Sequence, residues 1–515
     1  MLRPSASELY TKLEHDRWHF LDRARKCAAL TIPHLLPEDG FNSTSEIKSP
    51  FQGMGARGVN SLAASLLLAL LPPNSPFFRL KVNPSAYQEL EGLDEARAEV
   101  DLALSNIEQI VLSEIERSST RTGLYGAVRQ LIIGGNALIY FQPDGGIKVY
   151  RLTDYVVKRS PDGKPRDIIV KGTIHGDEVP PEVQQSALPA DQRENVFDLY
   201  THIQYSSDGK ATITQEVGGI EVEGSRREMD SSECPYLALR MNRIDGEDYG
   251  RSMVEEYLGE LESLESLSQS IVYGAAASAK VVFLTDPTGM TRPKTLAEAP
   301  QLAIREGRAS DVTVLQVQKG SDFATAFQAM GQITDRLSAA FLLAEGSIRQ
   351  AERVTAAEIR LISDSLERQL GGTYSLLSQE LQLPMVRLVM LQMKGRGELP
   401  AMPKDIVEPV IVTGVQALGR STDSLKLDTF MAAAMQQLGP EVLMSHLHMD
   451  EWFVRKAAAL GLDPKGLIKT PEEIQAEQQE QQQQQLAMQA GSAGINVGAQ
   501  QAMDASQPQP EGTDV

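Results

Sequence analysis

The chain has 515 residues and a formal net charge of −20. Its length allows about two to four domains with buried cores, whereas its acidic balance excludes a protein that wraps nucleic acid tightly, because neutralising phosphates requires clustered Lys and Arg. Its two cysteines, Cys27 and Cys234, are too few for a disulfide framework, so we expect two reduced thiols in the core.

The N-terminal part of the chain is predicted to be helical. Residues 5–30 predict a first helix, and residues 40–52 predict a polar loop. Residues 59–71 are the most apolar run, but they are too few to span a bilayer and stop at Pro72-Pro73, so we expect a buried helix. Residues 94–115 predict an amphipathic helix. The N-terminus lacks the apolar core of a signal peptide.

Residues 137–243 have the pattern of a mainly β region. Five strand-like runs stand out: Ile147-Lys148-Val149-Tyr150, Tyr155-Val156-Val157, Ile168-Ile169-Val170, residues 196–200 and residues 236–239. Three turn signals punctuate the region: Asp144-Gly145-Gly146, Pro161-Asp162-Gly163 and Asp208-Gly209.

Helical periodicity returns over residues 251–280, stops over 281–318 and resumes over 319–345. The interruption contains two strand-like pieces, 280–284 and 312–317, on either side of a proline-rich loop. The first helix carries glutamates that could form a solvated face or line an oligomeric channel: Glu255, Glu256, Glu260, Glu262 and Glu265. The second helix places one apolar face: Phe323, Phe327, Met330, Ile333, Leu337 and Phe341.

A charged loop over residues 346–354 separates this second helix from a further long helix. Thr355 can cap the long helix through its hydroxyl, and Glu358 has the spacing of a capping box. A short loop between two rigid helices presents charge at a fixed place. Its candidate functional side chains are Arg349, Glu352 and Arg353.

The remainder of the chain is predicted to be helical and then disordered. The long helix should reach about residue 394, with bends at Gly371-Gly372 and at Pro384. Residues 421–470 predict further helix. Residues 471–515 are rich in Gln and poor in large apolar side chains, so we expect them to be largely disordered.

Two motifs suggest enzymatic chemistry, and each has a simpler structural explanation. Gly53-Met54-Gly55-Ala56-Arg57-Gly58 matches a dinucleotide-binding fingerprint, but no strand precedes it and no acid follows at the required distance. We favour close helix packing through small residues. Asp245, Glu247 and Asp248 could hold the metals of a nuclease, but carboxylates are also common before a helix N-terminus, and we favour that explanation.

The histidines give no better signal for a metal site. His15 and His19 are spaced i, i+4 without the companion ligands of a zinc motif, and His446 and His448 have no cysteine cluster nearby. The chain also lacks a P-loop and a nucleophile-elbow motif. We therefore predict no catalytic residue, no metal and no cofactor.

Several strings, taken in order, resemble the portal, or head-to-tail connector, protein of T7-like short-tailed bacteriophages. Each string alone is weak, but their collinear order over most of the chain is specific. They are Thr31-Ile32-Pro33, Gly55-Ala56-Arg57-Gly58, Tyr150-Arg151-Leu152, Tyr200-Thr201-His202-Ile203, Asp245-Gly246-Glu247, Tyr249-Gly250-Arg251-Ser252, Glu256-Tyr257-Leu258-Gly259, Glu352-Arg353-Val354-Thr355-Ala356, and residues 376–384.

The resemblance implies an α+β, helix-dominated subunit with named parts. Residues 1–250 and 355–420 correspond to the wing, and residues 251–280 and 319–345 to the two stem helices. Residues 281–318 correspond to the clip, 346–354 to the tunnel loop and 421–470 to a helical crown. The Gln-rich tail, 471–515, follows.

The resemblance also implies a structural role in the virion. The family forms a homo-oligomeric ring, usually a dodecamer, at one capsid vertex; the ring is a channel for double-stranded DNA during packaging and ejection. Its implied partners are the terminase large subunit, capsid and scaffolding proteins, and tail adaptor and internal core proteins; no membrane is involved. Assembly takes place in the host cytoplasm.

Specific residues can be assigned to these implied roles. In the tunnel loop, Arg349 and Arg353 are candidates for touching DNA phosphates, with Glu352 tempering their charge. The candidates for docking the motor on the clip are Arg292, Lys294, Arg305 and Arg308. Another ring or adaptor protein of the head–tail junction is the alternative, and an enzyme is a more distant one.

Overall fold

The computed structural model describes most of the first four-fifths of the chain and short parts of the remainder. The described residues are 4–41, 44–73, 77–82, 94–179, 196–278, 282–300, 303–304, 306–315, 320–343, 366, 370, 372–399, 407–411, 419–438, 452–453 and 456. Residues 1–417 form one unit and residues 418–515 form a second.

Helices make up the larger part of the described structure. In the first unit they are α1 (Ala6–Ala29), α2 (Met54–Leu70), α3 (Asp94–Arg117), α4 (Thr120–Gly134), α5 (Met253–Glu256), α6 (Leu258–Ser278), α7 (Pro293–Ala297), α8 (Gly320–Ala340), α9 (Gly372–Leu377) and α10 (Leu383–Gly395). A π-helical turn, Ser378–Gln382, joins α9 to α10. The helix described in the second unit is α11 (Gly419–Leu438).

The strands that the structure describes form four antiparallel sheets. They are β1 (Phe78–Val82), β2 (Asn136–Phe141), β3 (Ile147–Tyr150), β4 (Tyr155–Arg159), β5 (Pro165–His175), β6 (Val196–Tyr205), β7 (Lys210–Val217), β8 (Ile220–Glu221), β9 (Arg227–Asp230), β10 (Tyr236–Arg240), β11 (Val282–Thr285), β12 (Val312–Leu315) and β13 (Val407–Ile411). The largest sheet has the order β4-β5-β6-β7-β8, with β9 also on β7; the others are β10-β2-β3, β1-β13 and β11-β12.

The main core of the first unit lies where the N-terminal helices meet the β10-β2-β3 sheet. Leu62 and Leu66 of α2 and Leu131 of α4 are fully buried there, because both helices turn an apolar face inward. The same cluster includes side chains from the start of α6, the end of α8 and α10. Helices α6, α8 and α10 therefore share one continuous core with the N-terminal helices.

The predicted fold class is confirmed, since the described residues are helix-rich with a smaller share of strand. All five strand-like runs fall inside strands β3, β4, β5, β6 and β10. The three turn signals are also confirmed. Gly145, Gly163 and Gly209 each have a positive φ, and each turn closes a hairpin.

Other expectations about the elements were incomplete. The buried helix α2 begins at Met54, five residues before the predicted start, and α4, β1 and β13 were not predicted. The helix expected over 251–280 is interrupted at Tyr257, where φ is −111° and ψ is 13°. The bend expected at Pro384 is preceded by the π-turn, in which the Leu383 amide donates to the Ser378 carbonyl. Residue 371 lies outside the described residues.

Candidate functional site

The most distinctive part of the first unit is formed by helices α6 and α8 and the antiparallel strands β11 and β12 between them. We call helices α6 and α8 the stalk, and the described residues between Val282 and Leu315 the tip. Along the stalk a Cβ placed on Gly274 would lie 2.6 Å from the Phe323 ring, so the Phe323 side chain packs directly against the backbone of α6. Nearer the base, Arg336 Nε and Glu260 Oε1 are 2.8 Å apart.

The tip continues the antiparallel register of the stalk. Strands β11 and β12 pair from Val282 with Leu315 to Thr285 with Val312. The predicted order of helix, β-containing excursion and helix is therefore confirmed within the described residues. Apolar side chains become exposed to solvent toward the tip. Phe327 of α8 has 59% of its surface exposed, and Phe283 and Leu284 of β11 are also exposed.

The base of the stalk is fixed to the N-terminal helices. Phe341, directly after α8, is fully buried, and a Cβ placed on Gly58 of α2 would lie 2.6 Å from the Phe341 ring. Glu265 of α6 accepts hydrogen bonds from the backbone amides of Phe51 at 2.9 Å and Gln52 at 3.1 Å. The loop before α2 is thus tied to the stalk.

A buried carboxylate organises the tip. Asp311 Oδ2 accepts hydrogen bonds from the Met290 amide at 2.9 Å, the Thr291 amide at 3.1 Å and the Thr291 hydroxyl at 3.1 Å. The Thr291 hydroxyl in turn accepts the Arg308 amide at 3.1 Å. These contacts join two stretches of the tip that are about 20 residues apart in sequence. Neither Asp311 nor Thr291 was predicted from the sequence as a residue that organises the tip.

Three of the four cations predicted to dock the motor lie exposed on the tip. Arg292, Lys294 and Arg308 form no ion pair with any other residue that the structure describes, and Arg305 lies outside those residues. Glu298 and Glu306 are exposed on the same segment. The outward-facing charge of the tip is therefore mixed rather than uniformly positive.

The predicted tunnel loop lies outside the described residues, together with the start of the long helix. The structure accordingly says nothing of Arg349, Glu352, Arg353, Thr355 or Glu358. The same holds for the tail beyond residue 456 and for His446 and His448.

The carboxylates of the suspected nuclease motif are each engaged with a different cation. Asp245 lies 3.2 Å from Arg243, Glu247 2.5 Å from Arg251, and Asp248 2.8 Å from Lys158. The Arg251 guanidinium lowers the pKa of Glu247. Among the described residues no group of three or more His, Cys, Asp or Glu side chains converges on a possible metal position. The favoured structural explanation of this motif agrees with these contacts.

Most of the glutamates of α5 and α6 contact other groups of the same chain; whether they form a solvated face or line an oligomeric channel stays a prediction. Glu255 pairs with Arg251 at 3.0 Å and with Arg23 at 3.3 Å. Glu256 accepts a hydrogen bond from the Asn242 side-chain amide at 3.0 Å. Glu260 and Glu265 have the partners given above, and Glu262 is exposed. Glu255 and Glu265 thus tie their helices to the N-terminal part of the chain, and Glu260 joins the two stalk helices.

The glycine motif at the start of α2 allows close packing, as favoured from the sequence. A Cβ on Gly55 would meet the Leu30 carbonyl oxygen at 2.3 Å, and Gly58 touches the stalk base. Cys27 and Cys234 are free buried thiols, also as expected. His15 and His19 are exposed on α1.

No helix among the described residues is both long and apolar enough to cross a membrane. What the geometry defines is a helix-rich subunit whose core carries a two-helix stalk with a hydrogen-bonded, partly apolar tip. Its exposed apolar and charged side chains place it in the class of proteins that present a surface for binding other macromolecules.

Comparison with known proteins gives this class a family. The family model described as bacteriophage head to tail connecting protein matches residues 3–468. The chain is 38% identical to the portal protein of Escherichia phage T7, covering 96% of this chain and 93% of that protein. It is also 38% identical to the portal protein of Enterobacteria phage T3, covering 98% and 96%. The chain therefore belongs to the bacteriophage head to tail connecting protein family.

A solved structure described as the neck of an empty gene transfer agent particle, computed with C6 symmetry, is a more distant match. It is 14% identical with a TM-score of 0.36, covering 80% of this chain and 91% of that chain. The family assignment rests on the sequence matches.

Proposed function

We propose that the chain forms a closed homo-oligomeric ring, a dodecamer, at one vertex of the capsid, and that double-stranded DNA passes through the ring during packaging and ejection. The observation that carries this proposal is the 38% identity to two phage portal proteins along nearly their whole length. In this arrangement the subunit performs no covalent chemistry, and a separate terminase ATPase supplies the force. The residue ranges given above for wing, stem, clip, tunnel loop and crown belong to the same proposal.

Exposed apolar side chains on the stalk support ring formation. Val272 and Tyr273 on α6 and Phe327 on α8 each expose about half or more of their surface. Large apolar side chains left open in one subunit are favourable contacts for a neighbouring copy. Identical subunits that meet through different faces form a closed ring when the rotation between neighbours divides a full turn evenly, and we propose that this holds here.

Electron microscopy of the purified chain tests this proposal. We expect rings with a central hole to form without any cofactor, and sedimentation at micromolar concentration should show an assembly many times the monomer mass. The double variant Val272→Ser, Phe327→Ser should shift sedimentation toward monomer, whereas Lys12→Ser with Lys48→Ser, two exposed sites outside the stalk, should not. A wild-type chain that sediments only as monomer would contradict the proposal.

The proposed DNA contacts lie in loop 346–354. Arg349 and Arg353 would touch phosphates of the passing DNA, with Glu352 limiting the strength of the contact. Rings carrying Arg349→Ala and Arg353→Ala should melt normally, because substitutions in a polar loop usually change stability by no more than about 0.5 kcal/mol. Their capsids should package DNA poorly or leak it, and normal packaging would remove these arginines from the proposal.

The helix cap after this loop provides a contrasting variant. Thr355→Ala should remove a cap worth about 1 kcal/mol and lower the melting temperature of the rings slightly. Glu358→Ala should act in the same direction, since the two side chains would cap the helix together. Melting of both variants beside the double Arg variant separates an effect on folding from an effect on DNA.

The tip is the proposed docking surface for the terminase large subunit, and later for tail proteins. Opposite charges steer association, so Arg292, Lys294, Arg305 and Arg308 would favour a partner with carboxylates. Reversing Arg305 and Arg308 to Glu should weaken motor binding while rings still form. The matched control reverses Lys12 and Lys48, which carry the same total charge outside the tip. Unchanged motor affinity in the tip variant would place docking elsewhere.

The remaining partners follow from the position at a capsid vertex. We propose contacts with capsid and scaffolding proteins on the outside of the ring, and with tail adaptor and internal core proteins along its axis. Assembly would take place in the cytoplasm of the bacterial host before incorporation into the virion.

A further inference from the structure

The described residues of the tip form no apolar core of their own. Among the described residues between Phe283 and Val314, those that are buried are Thr291 and Asp311, both polar. A segment of this length without buried apolar side chains cannot hold one shape through hydrophobic packing. The three hydrogen bonds to Asp311 Oδ2, with the Thr291 hydroxyl accepting the Arg308 amide, take the place of that core.

These hydrogen bonds leave little freedom at the two residues. The Thr291 hydroxyl donates to Asp311 and accepts from Arg308, so its donor and one acceptor position are in use. A Cβ on Gly289 would lie 2.7 Å from the Asp311 carboxyl carbon, and one on Gly307 would lie 2.6 Å from the Thr291 hydroxyl. Both glycines therefore allow the backbone to close around the pair, which we call the clasp.

The clasp directly holds the residues that point outward. Met290, whose amide donates to Asp311, has 75% of its surface exposed. Arg292 follows Thr291 in the chain, and the amide of Arg308 is bonded to Thr291. The clasp thus fixes the backbone at one exposed methionine and beside two exposed cations. Methionine is an adaptable apolar contact at binding surfaces.

We propose that Asp311 and Thr291 are positioning residues that preorganise the tip for its partner. They hold the backbone so that Met290, Arg292 and Arg308 are presented together to that partner. The partner surface that fits is an apolar pocket rimmed by carboxylates on the packaging motor. This inference rests on the proposed docking of the motor at the tip. Binding to a surface that is already ordered avoids the entropic cost of ordering it on association.

Paired threonine variants in the full-length ring test the proposal. Thr291→Val keeps the shape of the side chain and removes the hydroxyl, and Thr295→Val makes the same change where the hydroxyl bonds only the carbonyl of Arg292 on its own helix, at 2.8 Å. Asp311→Asn removes the charge with little change in size. Two readouts are needed: hydrogen exchange at the Met290, Thr291 and Arg308 amides, and affinity for the purified packaging motor.

We expect Thr291→Val and Asp311→Asn to exchange these amides about tenfold faster or more, and to bind the motor about tenfold more weakly, with rings intact. Thr295→Val should change neither quantity. Faster exchange with unchanged motor affinity would overturn the positioning role, as would unchanged exchange.

Surface variants keep this test separate from that of docking itself. Met290→Ser and Arg308→Glu leave the clasp side chains in place but change the surface that they support. Loss of motor affinity in these variants, together with unchanged affinity in Thr291→Val, would retain the docking site and reject the clasp. Full affinity in all of them would reject the docking site, and the positioning role with it.

Discussion

Gly58 and Phe341 meet where the stalk joins the N-terminal helices. Any side chain at position 58 would overlap the ring, because even a Cβ would lie 2.6 Å from it. The i, i+3 spacing of Gly55 and Gly58 follows from helix geometry, in which such residues share a face. The motif looks like a cofactor fingerprint in the sequence, but it is explained here by two close contacts: Gly55 with the Leu30 carbonyl oxygen and Gly58 with the Phe341 ring.

Gly58→Ala should destabilise the folded subunit by about 1–3 kcal/mol, the usual effect of overfilling a packed contact. Gly331→Ala on α8 is the matched control, since nothing lies within 4 Å of its added Cβ. That change should be neutral or stabilising by up to about 1 kcal/mol, because Ala favours helix over Gly. Chemical denaturation of both variants measures the difference; equal stabilities would show that the stalk base moves easily to accept a methyl group.

Burial controls the chemistry of Cys27. Desolvation raises the pKa of its thiol to about 12, and the thiolate is the reactive form. Folded protein at pH 8 should therefore resist iodoacetamide at Cys27, while denatured protein reacts fully. Mass spectrometry of the alkylated peptides provides the measurement, and rapid labelling of the folded ring would show that α1 opens locally.

The same shift has a consequence for stability. Since the folded pKa lies above the ordinary value of 9.0, the thiol contributes stability below about pH 9 that is lost as the pH rises toward 12. Cys27→Ala should lack this part of the alkaline decline in melting temperature. Parallel curves for the two proteins between pH 8 and 11 would contradict the assignment.

At the scale of elements, local pattern predicts well where periodicity and turn residues agree. Strand β3 was predicted with its observed bounds, because Asp144-Gly145-Gly146 marks its beginning and three of its four residues are β-branched or aromatic. Helix α4 was missed because Gly123, Gly126 and Gly134 lower its local helix propensity. Burial of Leu124, Leu131 and their neighbours in the core overrides that preference.

Strands β1 and β13 were missed because they pair over a long sequence distance. Phe78 of β1 pairs with Ile411 of β13, and neither segment has a partner nearby in sequence. The π-turn before Pro384 arises because proline has no amide to donate, so the ladder shifts by one residue around it. Sequence pattern indicates that a helix is disturbed at Pro384, but not which geometry relieves the disturbance.

Glu265 is a testable link between two elements. Glu265→Ala should remove the acceptor for the Phe51 and Gln52 amides, and we expect a loss of about 1–2 kcal/mol in unfolding free energy. Hydrogen exchange at these two amides should become faster. Glu262→Ala, an exposed site on the same helix, is the control and should change stability by no more than about 0.5 kcal/mol. Slow exchange retained in Glu265→Ala would show that the loop is held by other contacts.

For the whole molecule, the sequence predicts the order of helices and strands better than it predicts which residues organise the tip. The helix–excursion–helix order follows from changes in periodicity, which are local. Asp311 could not be singled out, because one aspartate in a polar loop resembles any other until its partners near residue 290 are brought against it. The sequence indicated only a proline-rich loop there, not the hydrogen bonds that close it.

Removal of residues 475–515 should leave ring assembly intact. This segment has little large apolar content, so it contributes little to a core. Electron microscopy and melting of the truncated protein are the measurements, with the full-length chain as the reference. Loss of rings would show that the Gln-rich segment carries an interface.

The stalk also acts as a lever. Each of its helices has 21 residues, which corresponds to a length of roughly 30 Å at about 1.5 Å per residue. A tilt of about 5° at Gly58 and Phe341 therefore displaces the tip by about 3 Å, as far as one hydrogen bond is long. A disturbance too small to break any contact at the base is large enough to separate Met290 from a partner. The tight packing of Phe341 against Gly58 therefore determines where the tip lies.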